Sequence, residues 1–255
     1  MIDALYISAS GLRSEQKQID VISNNVANMQ TPGFKRSRVN FVEVAASGMP
    51  VAGAQEGAAS HGNGTRILST STMFSPGELR MTQNPTDLAI EGDGFFELAG
   101  TDGAMVYTRD GQFRVDAEGN LVSVQGLPLS HGIQIPLGAA DVRVAANGEV
   151  TALLAGDTER SSLGSIELTT FAAPDALTSI GDSGFSATDT AGAPSYGQPG
   201  DAGFGKLQQG YVELANVEMI DEMSALVMAQ RAYQLNARVL QASDQVLETI
   251  NNLRR

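Results

Sequence analysis

Four aspartates stand where turns and apolar runs alternate: Asp87, Asp93, Asp110 and Asp116. Paired carboxylates in such places are the raw material of acid–base chemistry on glycosides, one held protonated and one ionised. Their neighbours point elsewhere. Gly92-Asp93-Gly94, Asp110-Gly111 and Asp116-Ala117-Glu118-Gly119-Asn120 supply residues that tolerate positive φ, and turn chemistry accounts for each aspartate without a reaction. The last string has a faint look of a calcium loop but lacks its oxygen-donor spacing. Gly92-Asp93-Gly94 is a fragment of a dinucleotide-binding pattern that precedes a strand, so no helix N-terminus is offered to a phosphate.

Metal and redox chemistry have as little to work with. The chain has no Cys and only two His, His61 and His131, both in Gly-flanked stretches that read as solvated loops. Neither disulfides nor a zinc site is expected, and no cofactor. The formal charge of -13 argues against nucleic acid and against an anionic membrane surface. Lys35, Arg36 and Arg38 form the one basic cluster, which reads as a local partner for acidic groups. The first residues, MIDALYISASGLRSEQ, have no basic n-region and no continuous apolar run, so a Sec signal peptide is not expected. A protein of this kind that works outside the cytoplasm needs another export route.

The elements that position these residues begin with two terminal helices. Between Ile2 and Val26, the residues Ile2, Leu5, Ala9, Leu12, Ile19 and Val26 fall on alternating steps of three and four when Gln16 and Ser23 fill the gaps. That is a seam near a 3.5-residue period, with Gly11 marking either a close helix approach or a weak point. The helix is expected to fade after Asn28, because Thr31-Pro32-Gly33 breaks it. The amides of Asn24, Asn25 and Asn28 serve either a turn or a subunit interface, and the sequence leaves both open. Near the other end, Met219, Met223, Leu226, Gln230, Tyr233, Ala237, Leu240 and Leu247 make one stripe, widened by Val239, Val246, Ile250 and Leu253. A helix over Val217 to Leu253 is on the order of 50 Å long and needs a partner alongside.

The middle is strand-like. Alternating runs at Leu88 to Ile90, Gly94 to Leu98, Met105 to Arg109, Gln112 to Val115 and Leu121 to Val124 are separated by turn signals, and Ile133 to Pro136, Asp141 to Ala145 and Gly164 to Phe171 continue the pattern. The fold class expected is α+β, with long N- and C-terminal coiled-coil helices paired together around a mainly β middle of sandwich-like or irregular barrel form. The boundaries expected are 1–30 for the first helix, 31–64 for a hinge and an extended Ala/Gly-rich arm, 65–205 for the β domain and 206–255 for the last helix.

Several strings then carry a resemblance. Gly11-Leu12, the run Ile19 to Asn28 and Thr31-Pro32-Gly33-Phe34-Lys35-Arg36 resemble the N-terminal signature of the flagellar basal-body rod and hook family. Asp87 to Phe96 and Tyr107 to Phe113 resemble its middle, and Gln209 to Glu213, Asn216-Val217, Gln230-Arg231-Ala232-Tyr233 and Ser243-Asp244 resemble its C-terminal signature. The matches run through most of the chain in order. The resemblance implies a non-enzymatic subunit, similar to those of the distal rod, that polymerises into a hollow helical tube, transmits torque and encloses an export channel. A proximal rod or hook-type subunit is the nearest alternative; a secreted glycan-active enzyme or an adhesin built on residues 65–205 are alternatives of other classes.

The resemblance also implies partners: copies of itself, the proximal rod, the hook, the surrounding ring proteins and the flagellar export apparatus, with no nucleic acid and no small-molecule substrate. It implies a rod that crosses the periplasm and passage through the export channel without signal cleavage. The expected subunit interface comprises Leu5, Leu12, Ile19, Asn24, Asn25, Val26, Asn28, Phe34, Lys35 and Arg36, with Met223, Leu226, Gln230, Tyr233, Leu240 and Leu247 from the last helix.

Overall fold

The computed structural model describes residues 2–45, 62–100, 103–130, 132–136, 138–154 and 159–253. His61, His131 and most of the Ala/Gly-rich arm lie outside them. The described chain is α+β and divides into two units.

The helical unit holds α1 (Ile2–Ala27), the strands β1 (Ser37–Ala45) and β2 (Gly62–Thr72) as far as Ser71, and α2 (Met219–Leu253). Acidic residues favour helix N-termini, where backbone N–H groups lack partners, and Asp3 opens α1 as Asp221 and Glu222 open α2. Beyond α1 the chain cannot continue as a helix: Pro32 disfavours helical backbone at Thr31, whose N–H turns back to the Asn28 carbonyl at 3.0 Å. β1 and β2 pair with one another, and α1 packs on β1. Ser10 ties α1 to β2 as well, its Oγ donating to the Ile7 carbonyl at 2.8 Å and accepting from the Thr65 N–H at 3.2 Å.

α1 and α2 pack against each other, and two contacts fix their direction. A Cβ on Gly11 would stand 2.9 Å from Asn236 Nδ2, and Asn25 Nδ2 donates to Glu222 Oε2 at 3.4 Å. As position rises along α1 from 11 to 25, its partner on α2 falls from 236 to 222, so the helices run antiparallel with equal spacing between contacts. Of the two readings of Gly11, a close helix approach or a weak point, the structure shows the close approach. The meeting line differs from the expected one. The two contacts that fix it are made by small or polar residues, Gly11 with half-buried Asn236 and the buried Asn25 with the buried Glu222, and Val21 and Ile22 are also buried on α1 and Ala229 on α2. Small side chains let two backbones approach, as at Gly11.

The β unit holds Asn28–Arg36 and Thr72–Val217. Among the described residues its strands form small antiparallel sheets of two to four strands, and neither a sandwich nor a closed barrel is seen. Strands at Leu88–Glu91, Phe96–Ala99, Met105–Thr108, Phe113–Val115 and Leu121–Ser123 lie where alternation and turn signals put them. Ile133 to Pro136 is not a strand and makes only a bridge at Gln134, although Ile133 and Ile135 are buried. Leu88, Phe96, Val150, Ile166 and Leu168 anchor the main core, and a second cluster gathers Phe95, Tyr107 and Phe185.

The unit limits differ from 31–64, 65–205 and 206–255. Residues 37–45 and 62–71 are strands of the helical unit. Lys206–Gln209 and Tyr211–Glu213 are strands of the β unit, paired with Leu88–Glu91 and Leu79–Met81. They complete sheets whose other strands lie more than a hundred residues earlier, a pairing that local patterning does not reveal.

Candidate assembly surfaces and a buried ion cluster

Residues 31–36 enter the β unit through one glycine. Gly33 has φ 67°, a conformation side chains disfavour, and a Cβ there would overlap the backbone of Asp110. Its N–H donates to the Glu213 carbonyl at 2.8 Å. Two residues on, Lys35 is only 2% exposed, and its Nζ donates to Glu213 Oε1 at 2.6 Å and to the Ser75 carbonyl at 2.8 Å.

Glu213 is the hub of the cluster. Its Oε1 also accepts from the Gly77 N–H at 2.7 Å, and its Oε2 from Arg109 at 3.4 Å. Arg109 donates a second bond to the Gly92 carbonyl at 2.9 Å and lies 5.3 Å from the centre of the Phe95 ring. Two cations share one carboxylate in a dry place, where removing water from an ion is expensive. Burial lowers the pKa of Lys35 and of Arg109, with Glu213 opposing the shift in both.

Lys35 therefore corrects the sequence reading. It is not offered to a neighbouring molecule; its acidic partner is Glu213 of its own chain, and neither Glu213 nor Arg109 was singled out as that partner. Asn216 is a second anchor missed: its Oδ1 accepts from the Arg36 N–H at 2.8 Å and its Nδ2 donates to the Met73 carbonyl at 2.8 Å. A polar residue directly before the last helical stripe was the available signal.

The other residues expected at the interface separate into three groups. Asn25 is buried in the helical unit, where its side chain donates to the Ser37 carbonyl at 2.9 Å and accepts from the Ser37 N–H at 3.0 Å. Leu5, Leu12, Ile19 and Val26 on α1 and Leu226, Leu240 and Leu247 on α2 are half-buried, as are Asn28, Phe34 and Arg36. Asn24, Met223, Gln230 and Tyr233 are exposed. Asn28 belongs to the turn, its Oδ1 accepting from Thr31 Oγ1 at 3.3 Å.

What α2 leaves in water is the larger surface. Ile220 is 80% exposed and Met223 54%, and Val227, Met228, Leu235, Val239, Val246 and Ile250 continue along the helix. Apolar exposure on that scale marks a surface meant to be covered.

Asp87, Asp110 and Asp116 are engaged in local hydrogen bonds. Asp116 Oδ1 accepts from the N–H groups of Glu118 at 3.0 Å and Asn120 at 2.7 Å. Asp87 accepts from Asn84 Nδ2 at 2.9 Å. Burial pushes the Asp110 carboxyl up to about 6; the Gln112 N–H, donating to it at 3.0 Å, pulls the other way, and Asp87 adds to the rise. Among the described residues, no three His, Cys, Asp or Glu side chains are grouped to hold a metal ion.

Known families match three stretches. A family described as flagella basal body rod protein matches residues 5–35, one described as flagellar hook protein FlgE/F/G D1 domain matches 89–152, and one described as flagellar basal body rod FlgEFG protein C-terminal matches 208–253. Lys35 falls in the first match and Glu213 in the last. The flagellar basal-body rod protein FlgG of Buchnera aphidicola subsp. Schizaphis graminum is 37% identical over 260 residues, covering 99% of this chain and 100% of that protein. The FlgG of Caulobacter vibrioides is 36% identical over 261 residues, again 99% and 100%. The rod protein FlgF of Mesorhizobium japonicum is 30% identical over 260 residues, 99% of each.

Proposed function

The chain belongs to the flagellar basal-body rod family, as a structural subunit of the distal rod and not an enzyme, and from that premise we propose that α1 and α2 join those of neighbouring copies as coiled-coil layers lining a hollow helical tube. The observation that carries this reading is the apolar stripe of α2 that its own chain leaves in water. A single copy joins its helices through Gly11, Asn25, Glu222 and Asn236 and leaves the exposed large side chains of α2 to other copies. The equal spacing of the two contacts between α1 and α2 suits a heptad pairing, since from Gly11 to Asn25 and from Glu222 to Asn236 are both two heptads.

In this reading Leu5, Leu12, Ile19, Leu226, Leu240 and Leu247 flank the helix pair and complete their burial between copies, with Met223, Gln230 and Tyr233 facing neighbours. Torque passes through many weak contacts repeated along a lattice, as an interface that does not close into a ring produces. The β unit has its own core. The partners are copies of the same chain, the proximal rod, the hook and the rings around the rod, and the export apparatus delivers the chain across the inner membrane to a rod that crosses the periplasm.

Val239→Asp tests the reading, because Val239 is 49% exposed and its replacement leaves the single chain intact. The variant is expected to keep its circular dichroism and melting profile and to lose both association at high concentration and motility in a complemented strain. Normal polymers and normal swimming would overturn it.

A further inference from the structure

Within the helical unit a groove of about 430 Å³ opens between α1 and the paired strands β1 and β2. Its apolar lining comes from Tyr6, Val44 and Ile67, and two cations, Arg13 and Arg66, stand at it. Both arginines are exposed, and among the described residues neither takes part in an ion pair. The groove is set in advance, because Ser10 holds β2 and α1 together through the Thr65 N–H, and Gly64 packs so close that a Cβ would overlap Ser10 Oγ. On a chain of net charge -13, an apolar groove with two free cations selects an acidic partner that also carries apolar side chains.

The same chain presents such a partner at the start of α2. Ile220 and Met223 are exposed one turn apart on one face, and the exposed carboxylates Glu218 and Asp221 stand beside them. Within its own chain this turn is engaged through Glu222, whose carboxylate accepts from Asn25, and no α2 residue lines the groove. Groove and helix start are different surfaces, so joining one copy's groove to the next copy's helix gives a head-to-tail contact that propagates.

We propose that the groove of Arg13 and Arg66 is the docking site for the first turns of α2 of a second copy, Ile220 and Met223 entering it and Glu218 and Asp221 meeting the arginines. The proposal rests on the assembly reading above and names the two surfaces that make one of its contacts. Charge reversal separates them: one chain carries Arg13→Glu and Arg66→Glu, another Glu218→Arg and Asp221→Arg. Sedimentation velocity of the full-length chains across a concentration series is expected to show each variant alone associating about tenfold more weakly than the wild type, with the two mixed at equal concentration recovering association, since each then supplies the complement of the other. Wild-type association by the groove variant alone, or a mixture no better than its parts, would overturn the docking while leaving polymerisation of the unaltered chain intact. If the unaltered chain itself never associates, the assembly reading falls and the docking falls with it.

Discussion

Lys35 and Glu213 stand 178 positions apart in sequence and 2.6 Å apart in space, both side chains almost wholly withdrawn from water. Removing one member of a buried pair leaves the other with its desolvation cost and less return. Lys35→Ala is therefore expected to lower the stability of the β unit by about 3 kcal/mol in urea denaturation. The loss should be nearly the same at low and high salt, because buried pairs are poorly screened. A small loss that disappears in salt would mean that the pair is open to solvent.

Asp110 gives the molecule a pH dependence of unusual sign. Burial raises its carboxyl to about 6 in the fold from the ordinary 3.8 of an unfolded chain, so between those limits the native state holds the extra proton. Stability falls as pH rises through that window and is flat above it. Asp110→Asn keeps an oxygen for the Gln112 N–H and removes the ionisation. It is expected to stabilise the protein at pH 7 by on the order of 2 kcal/mol and to flatten the profile between pH 4 and 6, read from urea midpoints at each pH.

Gly11 limits how α1 approaches α2. Gly11→Ala gains about 1 kcal/mol of helix propensity but pushes on the tip of the Asn236 side chain, which can turn aside, so a change near zero is expected. Gly11→Leu cannot be absorbed that way and should cost roughly 1–3 kcal/mol, seen as an earlier loss of helical circular dichroism on heating. Adding Asn236→Ala to the leucine variant should return part of the loss.

Asn25 both donates to and accepts from the backbone of Ser37, and it donates to Glu222. Asn25→Asp keeps the acceptor and loses the donors, setting a second carboxylate against Glu222. The variant is expected to be less stable by about 2 kcal/mol at pH 7 and to recover part of that at pH 4, where a carboxyl can take up a proton and donate again. Equal losses at the two pH values would point to the lost packing alone.

Particular elements show what the sequence made legible. Both helices, the stop at Pro32, the close approach at Gly11 and the strands between Leu88 and Ser123 are local, written in a period, a breaker or a turn within a few residues. The location of the helix contact was only half legible. A period defines stripes, but Gly11, Asn25, Glu222 and Asn236, which stand beside the expected stripes, made the two contacts that fix the pairing, while the stripes themselves range from half-buried to exposed. Lys35 was least legible: its partner lies at the far end of the chain, and nothing beside Lys35 distinguishes a buried cation from one offered to solvent. The pairing of Lys206–Gln209 with Leu88–Glu91 was hidden for the same reason.

The chain passes between its two units four times, at residues 27–28, 36–37, 71–72 and 217–218, so neither unit is a continuous stretch of sequence. In a polypeptide that emerges N-terminus first, from a ribosome or a narrow conduit, α1 waits for α2 and Lys35 and Arg109 wait for Glu213. Most of the molecule must be delivered before either half can close. The order of emergence thereby sets the order of closure: neither unit is complete until the stretch that carries Glu213 and α2 has arrived.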